Sequence, residues 1–178
     1  VMFGIRFFRT FTFVLLCGTL SASCKSDQPQ QWLDRAVLLS GASFAVSSNG
    51  WFESGCELLD ATPVNRAVSG ESIVDCAGKM KAGTLYNRAE LEKIDVFVVM
   101  HVHNRDVCTD GGCLRDDLAD YEFPLDRDNY AGAYDYVIRK YIEDCHNLQF
   151  DSISEYYGNG EGKPAVIVLC THWHDGRG

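Results

Sequence analysis

From Ala36 onward, apolar residues gather in four short runs, and parts of the stretches between them alternate apolar and polar positions at helical spacing. The first run, Ala36-Val37-Leu38-Leu39, breaks off at Ser40-Gly41-Ala42-Ser43. The others are Thr62–Val68, Asp95–His101 with Val96-Phe97-Val98-Val99-Met100 at its centre, and Ala165–Cys170, introduced by Lys163-Pro164. All four predict strands, and the run Val96–Met100, without polar alternation, predicts one buried on both faces, as in a parallel sheet. Between the first two runs, Asn49–Leu59 carries Phe52, Cys56 and Leu59 on one stripe with Glu53 and Glu57 off it, which predicts a helix. The stretch from Ser69 to Lys93 reads as helical in parts, and Val107 to Leu125 as an acidic, glycine-containing loop. Tyr130, Tyr134, Val137, Ile138, Tyr141, Ile142 and Cys145 then repeat at helical spacing and predict the clearest helix of the chain.

Strand–helix alternation with apolar strands predicts an α/β fold, a three-layer α/β/α sandwich around a mainly parallel sheet. Ligands bind such sheets beyond the carboxyl ends of the strands. Those ends carry Ser43, Ser69-Gly70, His101-Val102-His103-Asn104 and Thr171-His172-Trp173-His174-Asp175, so the chemically capable residues converge on one edge.

Composition narrows the function without naming it. The 178 residues suffice for one domain with a sizeable core, and 46% apolar content excludes a disordered chain. A formal charge of −9 with no basic cluster argues against a nucleic-acid partner. The start differs from the rest: Arg6 and Arg9 precede the apolar run Phe11–Leu20, and Ser21-Ala22-Ser23-Cys24 follows. This is the pattern of a secretory signal, residues 1–24, with residues 25–35 as a polar tether before a domain over 36–178. The cysteine after Ser-Ala-Ser resembles a bacterial lipoprotein signal, which implies lipidation of Cys24, a location in the periplasm or at the cell surface, and membrane contact only through that anchor. Eight cysteines fit an exported protein. Cys108 and Cys113 flank a flexible Thr-Asp-Gly-Gly loop that could close as a disulfide, whereas Cys56 and Cys170 read as buried thiols.

Three strand ends in order resemble the SGNH (GDSL-like) hydrolase superfamily over about Val37 to Cys170. Gly41-Ala42-Ser43 stands where that superfamily has Gly-Asp-Ser. Val64-Asn65-Arg66-Ala67-Val68-Ser69-Gly70 matches its second block closely. Val99-Met100-His101-Val102-His103-Asn104-Arg105 keeps the Asn of the third block but has Val102 for Gly and Arg105 for Asp. The resemblance implies a flavodoxin-like sheet, Ser43 as nucleophile at the start of the first helix, and Ser43 N–H, Gly70 N–H and the Asn104 amide as oxyanion donors. It implies no cofactor, and an acylated small molecule or carbohydrate as substrate, with Trp51, Tyr86, Tyr121 and Trp173 as sugar-stacking candidates. The superfamily's Asp-x-x-His base is absent. The expectation is therefore a hydrolase domain without its last strand and helix, inactive as given, with Val166–Leu169 as an open sheet edge.

Two alternatives remain open. Four of the five histidines fall in the strand-end pairs His101/His103 and His172/His174. Thr171-His172-Trp173-His174-Asp175 also resembles the Thr-His-x-His-x-Asp-His motif of metallo-β-lactamase-like hydrolases, which implies a metal-dependent hydrolase. The second alternative is a non-catalytic, carbohydrate-binding lipoprotein.

Overall fold

The computed structural model describes residues 35–46, 48–101 and 130–170. It has the expected α/β fold. Strands β1 (Ala36–Gly41), β2 (Thr62–Asn65), β3 (Ile94–Met100) and β4 (Ile167–Leu169) form an all-parallel sheet in the order β2-β1-β3-β4. The register of β1 on β3 slips between Ala36 and Val37 and runs regularly from there to Gly41 opposite Met100. All six residues of β1 are buried, as an uninterrupted apolar run in a central parallel strand requires.

Three of the four α-helix starts among the described residues have a local cause. Helix α1 (Trp51–Leu58) begins where the Gly50 N–H donates to Glu53 Oε2 at 3.1 Å. In α2 (Ile73–Lys81), the Ser72 N–H and hydroxyl both donate to Asp75 Oδ2. Asn87 opens α3 (Arg88–Lys93) with a reciprocal pair, its Oδ1 accepting from Glu90 N–H while its own N–H donates to Glu90 Oε2. The long α4 runs Tyr130–Asn147.

Successive residues of β1 and β3 enter two different clusters. Ala36, Leu38, Phe97 and Val99 join Ile73, Cys76, Ala77 and Met80 of α2 and Ala133, Val137, Tyr141 and Cys145 of α4. Val37, Leu39 and Val98 join Ala45, Ala61, and Phe52 and Cys56 of α1. This is the period-two alternation of a strand buried on both faces.

Four sequence expectations need correction. Leu59 leaves the stripe of the first helix: α1 ends at Leu58, and Leu59, at its C-cap, is 63% exposed. The stripe of α4 loses Ile142, which faces solvent, and gains Tyr136, which is buried. β2 ends at Asn65 and not at Val68, because the Asn65 side chain takes the Ala67 N–H at 2.9 Å, although Arg66 N–H to Leu39 O and Val68 N–H to Gly41 O carry the pairing onward. Cys56 is a buried thiol as expected, while Cys170 is only half-buried. β4 is an edge of the described sheet, with Val168 and Leu169 each 43% exposed. No helix among the described residues is long and apolar enough to cross a membrane. Cys24, Cys108 and Cys113 lie outside the described residues.

Candidate functional site

Ser43 opens a short 3₁₀ turn, Ser43–Ala45, two residues past β1. It is not at the start of an α-helix, since α1 begins only at Trp51. Gly41, just before the turn, packs closely: a Cβ there would meet Ala45 Cβ at 3.0 Å and Met100 O at 3.1 Å. The N-cap of the turn is Ala42, with no side-chain cap. Ser43 is exposed, and its hydroxyl makes no hydrogen bond to a described residue. An N-cap role therefore does not account for this serine.

The turn is fastened from several sides. Ala42 N–H donates to Met100 O at 3.3 Å, and Ala45 N–H to Ala42 O at 2.9 Å. Asn65 Nδ2 donates both to Ala45 O and to Glu53 Oε1, each at 2.8 Å. Trp51 Nε1 donates to Phe44 O at 3.2 Å, which sets a half-exposed indole beside the turn. The hydrogen bond from Asn65, the largest cause, holds the Glu53 carboxyl below its ordinary value.

Gly70 lies at the same level. Val68 N–H donates to Gly41 O at 3.0 Å, and Ser43 and Gly70 each stand two residues beyond that shared rung. Glu71 N–H closes back on Val68 O, with Gly70 at φ +83, the conformation that the third residue of a type II turn demands. A Cβ on Gly70 would meet nothing within 4 Å, so the turn and not crowding selects glycine, and the space beside its backbone is open. Asn104, the third expected member, lies outside the described residues, as do His103, His172, His174, Tyr121 and Trp173.

Next to the rung from which the turn departs is a pairing that the sequence did not reveal, between Ser40 and His101, the latter named above only as a strand-end residue and metal-ligand candidate. Ser40 and His101 are both fully buried, and Ser40 Oγ shares a 2.9 Å hydrogen bond with His101 Nε2. The Tyr134 hydroxyl of α4 donates to His101 O at 2.9 Å. Burial pushes His101 down to about 4, against the opposing pull of a hydrogen bond with the Glu71 backbone and the charge of Asp75; the charge of Lys79 also lowers it. Cys76 of α2 is raised to about 12 by burial, with a Ser40 hydrogen bond acting the other way.

A serine 2.9 Å from an imidazole has the spacing of a nucleophile and its base. Here neither side chain reaches solvent, so the pair is not an exposed catalytic dyad. The sequence signal was present in the columns Ala36-Leu38-Ser40 and Phe97-Val99-His101, each of which places a polar residue on a face that is apolar below it. With Nε2 engaged by Ser40, His101 is also a poor member of the metal-binding pair considered above. Among the described residues, no group of three or more His, Cys, Asp or Glu is arranged to hold a metal ion. Tyr86, a stacking candidate, is committed elsewhere: its hydroxyl donates to Asp144 Oδ2 at 2.8 Å and its ring meets Tyr141 edge-on.

Two cavities lie away from Ser43. One of about 390 Å³ is lined by Tyr86, Arg88, Lys140 and Asp144. The other, of about 490 Å³, opens at the amino ends of the strands between Arg35, Asp95, Tyr156 and Lys163. In the second, Arg35 pairs with Asp95 at 2.7 Å and buried Lys163 donates to Ile94 O, so its polar groups already serve the fold.

No curated protein matches the chain, and no solved structure matches it. Residues 34–178, which include every described element, match the family described as a domain of unknown function (DUF5040), and the chain belongs to that family.

Proposed function

We propose that the chain carries a serine esterase centre of SGNH type, with Ser43 as nucleophile and Gly70 N–H and the Asn104 amide as oxyanion donors. The observation that carries this reading is the setting of Ser43. It has an exposed hydroxyl without a hydrogen bond to any described residue, on a turn fastened at several points, level with an open glycine turn. A nucleophile needs that combination of accessibility and fixed position.

The substrate is an acylated small molecule or carbohydrate. Trp51 and Phe44, 50% and 71% exposed, stand next to Ser43 and suit stacking on a sugar or an apolar acyl group. The chain works outside the cytoplasm, anchored through lipid on Cys24. Neither histidine among the described residues suits the role of base: His101 is buried, and His146 is hydrogen-bonded to Gln149 and to Glu161 O near the end of α4. The other three histidines, His103, His172 and His174, lie outside the described residues, and His172 or His174, just past β4 in the sequence, is taken as the base.

Serine-directed fluorophosphonate labelling of the full-length protein, followed by peptide mapping, tests the assignment. The label is expected on Ser43. Ser43→Ala should abolish labelling and lower ester turnover by at least about 10³-fold. A label on another serine, or turnover that survives Ser43→Ala in folded protein, removes Ser43 from the reaction.

A further inference from the structure

We propose that Ser40, His101 and Tyr134 form a buried positioning network that holds the Ser43 turn against the carboxyl end of β3. The inference uses the esterase reading for the reaction served, but the network is defined by geometry alone.

Ser40 and His101 are the last inward-facing steps of two otherwise apolar columns, and both are fully buried. An apolar pair would fill the same space without the cost of desolvating a hydroxyl and an imidazole. What the polar pair adds is direction, because its 2.9 Å hydrogen bond fixes the relative position of β1 and β3 at that level. The level is significant. Ser40 pairs with Val99 and Gly41 with Met100, and the next rung is the Ala42 N–H on Met100 O, from which the Ser43 turn departs. The β1–β3 register is irregular only at the amino end, so the link lies at the end where the ladder is regular.

Tyr134 extends the link to α4 by holding the carbonyl of His101, the residue at which the chain leaves β3 towards Asn104. One connected set of hydrogen bonds thus spans β1, the end of β3 and α4, one rung before the point from which the Ser43 turn departs. A displacement of about 1 Å at such a point is enough to cost about a hundredfold in rate.

The test compares wild type with Ser40→Ala, Ser40→Thr and Tyr134→Phe in the full-length protein. It uses a chromogenic acetyl ester, fluorophosphonate labelling and amide hydrogen exchange. Ser40→Ala is expected to lower kcat and the Ser43 labelling rate by about tenfold or more with KM unchanged, since the residue touches no substrate. Ser40→Thr, which keeps a hydroxyl, should recover most of the loss, and Tyr134→Phe should cost about threefold. Both Ser40→Ala and Tyr134→Phe should speed exchange at the Ala42 amide relative to amides at the centre of β3. If folded Ser40→Ala matches wild type in kcat and in Ala42 exchange, the network does not position the turn. If wild type fails to label at Ser43, the esterase reading fails, and Ala42 exchange alone then decides the network: faster exchange in both variants supports it, and unchanged exchange overturns it.

Discussion

On the face covered by α2 and α4, Leu38, Ile73, Phe97, Val99, Val137 and Tyr141 have essentially no accessible surface. On the α1 face the cluster is smaller: Val37, Leu39, Ala45, Phe52, Cys56, Ala61 and Val98, with Phe44, Trp51, Leu58 and Leu59 in solvent nearby. The first face is held by apolar packing, with the buried pair Ser40 and His101 at its carboxyl end. The second has less apolar area, and the turn bearing Ser43 is fastened there by Asn65 and by backbone hydrogen bonds. The difference teaches where rigidity comes from. A densely packed layer supplies stability, and directional bonds placed against it supply position.

The largest effect should come from the packed face. Phe97 is fully buried and meets Tyr141 with ring centroids 5.1 Å apart. Phe97→Ala should cost about 4–5 kcal/mol, because close-packed neighbours from two helices relax little into the cavity. Phe52, 4% exposed on the α1 face, has the exposed Trp51 as a ring neighbour, and α1 can shift inward. Phe52→Ala should therefore cost less, about 3 kcal/mol. Urea titration of both variants checks this, and equal or reversed costs would break the comparison.

A smaller effect, dependent on pH, belongs to His101. Its folded value of about 4 lies below the ordinary 6.5, so the unfolded chain takes up this proton first as pH falls. The contribution is fully present above about 6.5 and declines by up to about 1.4 kcal/mol per pH unit down to about 4. The groups around the ring are Cys76, Asp75 and Lys79 of α2, the Glu71 backbone, Ser40 of β1 and Tyr134 of α4. Urea stability of wild type and His101→Gln between pH 7 and pH 4.5 should show the steeper acid slope in wild type. Equal slopes would mean that His101 is not held neutral in the core.

How much of this was legible in the sequence follows from what each signal encodes. Apolar runs located the two central strands, β1 and β3, because burial on both faces leaves little room for polar alternation, whereas the edge strands β2 and β4 are partly exposed and carry a weaker signal. The helix stripes were readable except at their margins. Leu59 looks like a stripe residue by spacing, but α1 has already ended. Ile142 points to solvent because the buried arc of α4 is rotated away from it, towards Ala133 and Tyr136. Ser43 was legible as the residue at the strand mouth. The 3₁₀ turn was not, since it is held by bonds to Met100 O and from Asn65, residues distant in the chain. Ser40 and His101 were visible as polar ends of apolar columns, but their hydrogen bond joins residues 61 apart in the chain, and no local pattern reports such a pairing.

The smallest effect on stability sharpens the comparison most directly. Asn65 makes three hydrogen bonds on the α1 face: to Ala45 O, to Glu53 Oε1 and from Ala67 N–H. In Asn65→Ala all three are lost, but the site is only half-buried, so water can replace part of what is removed. The expected cost is about 1–2 kcal/mol. Asn65→Asp should be worse than Ala despite its similar shape. It keeps an acceptor for Ala67 N–H, but it exchanges the donor for an oxygen that faces the Ala45 carbonyl and the Glu53 carboxylate. Glu53, now held below its ordinary value chiefly by Asn65, should rise in both variants, and further in Asp, where a like charge replaces the donor. NMR titration of Glu53 reads that shift, and denaturation reads the stability. If directional bonds fasten the turn, Ser43 labelling should fall more steeply in these variants than in Phe52→Ala, although Phe52→Ala loses more stability. If Ser43 labelling follows stability alone across Asn65→Ala, Asn65→Asp and Phe52→Ala, position on the α1 face comes from packing after all, and the two faces do not differ in kind.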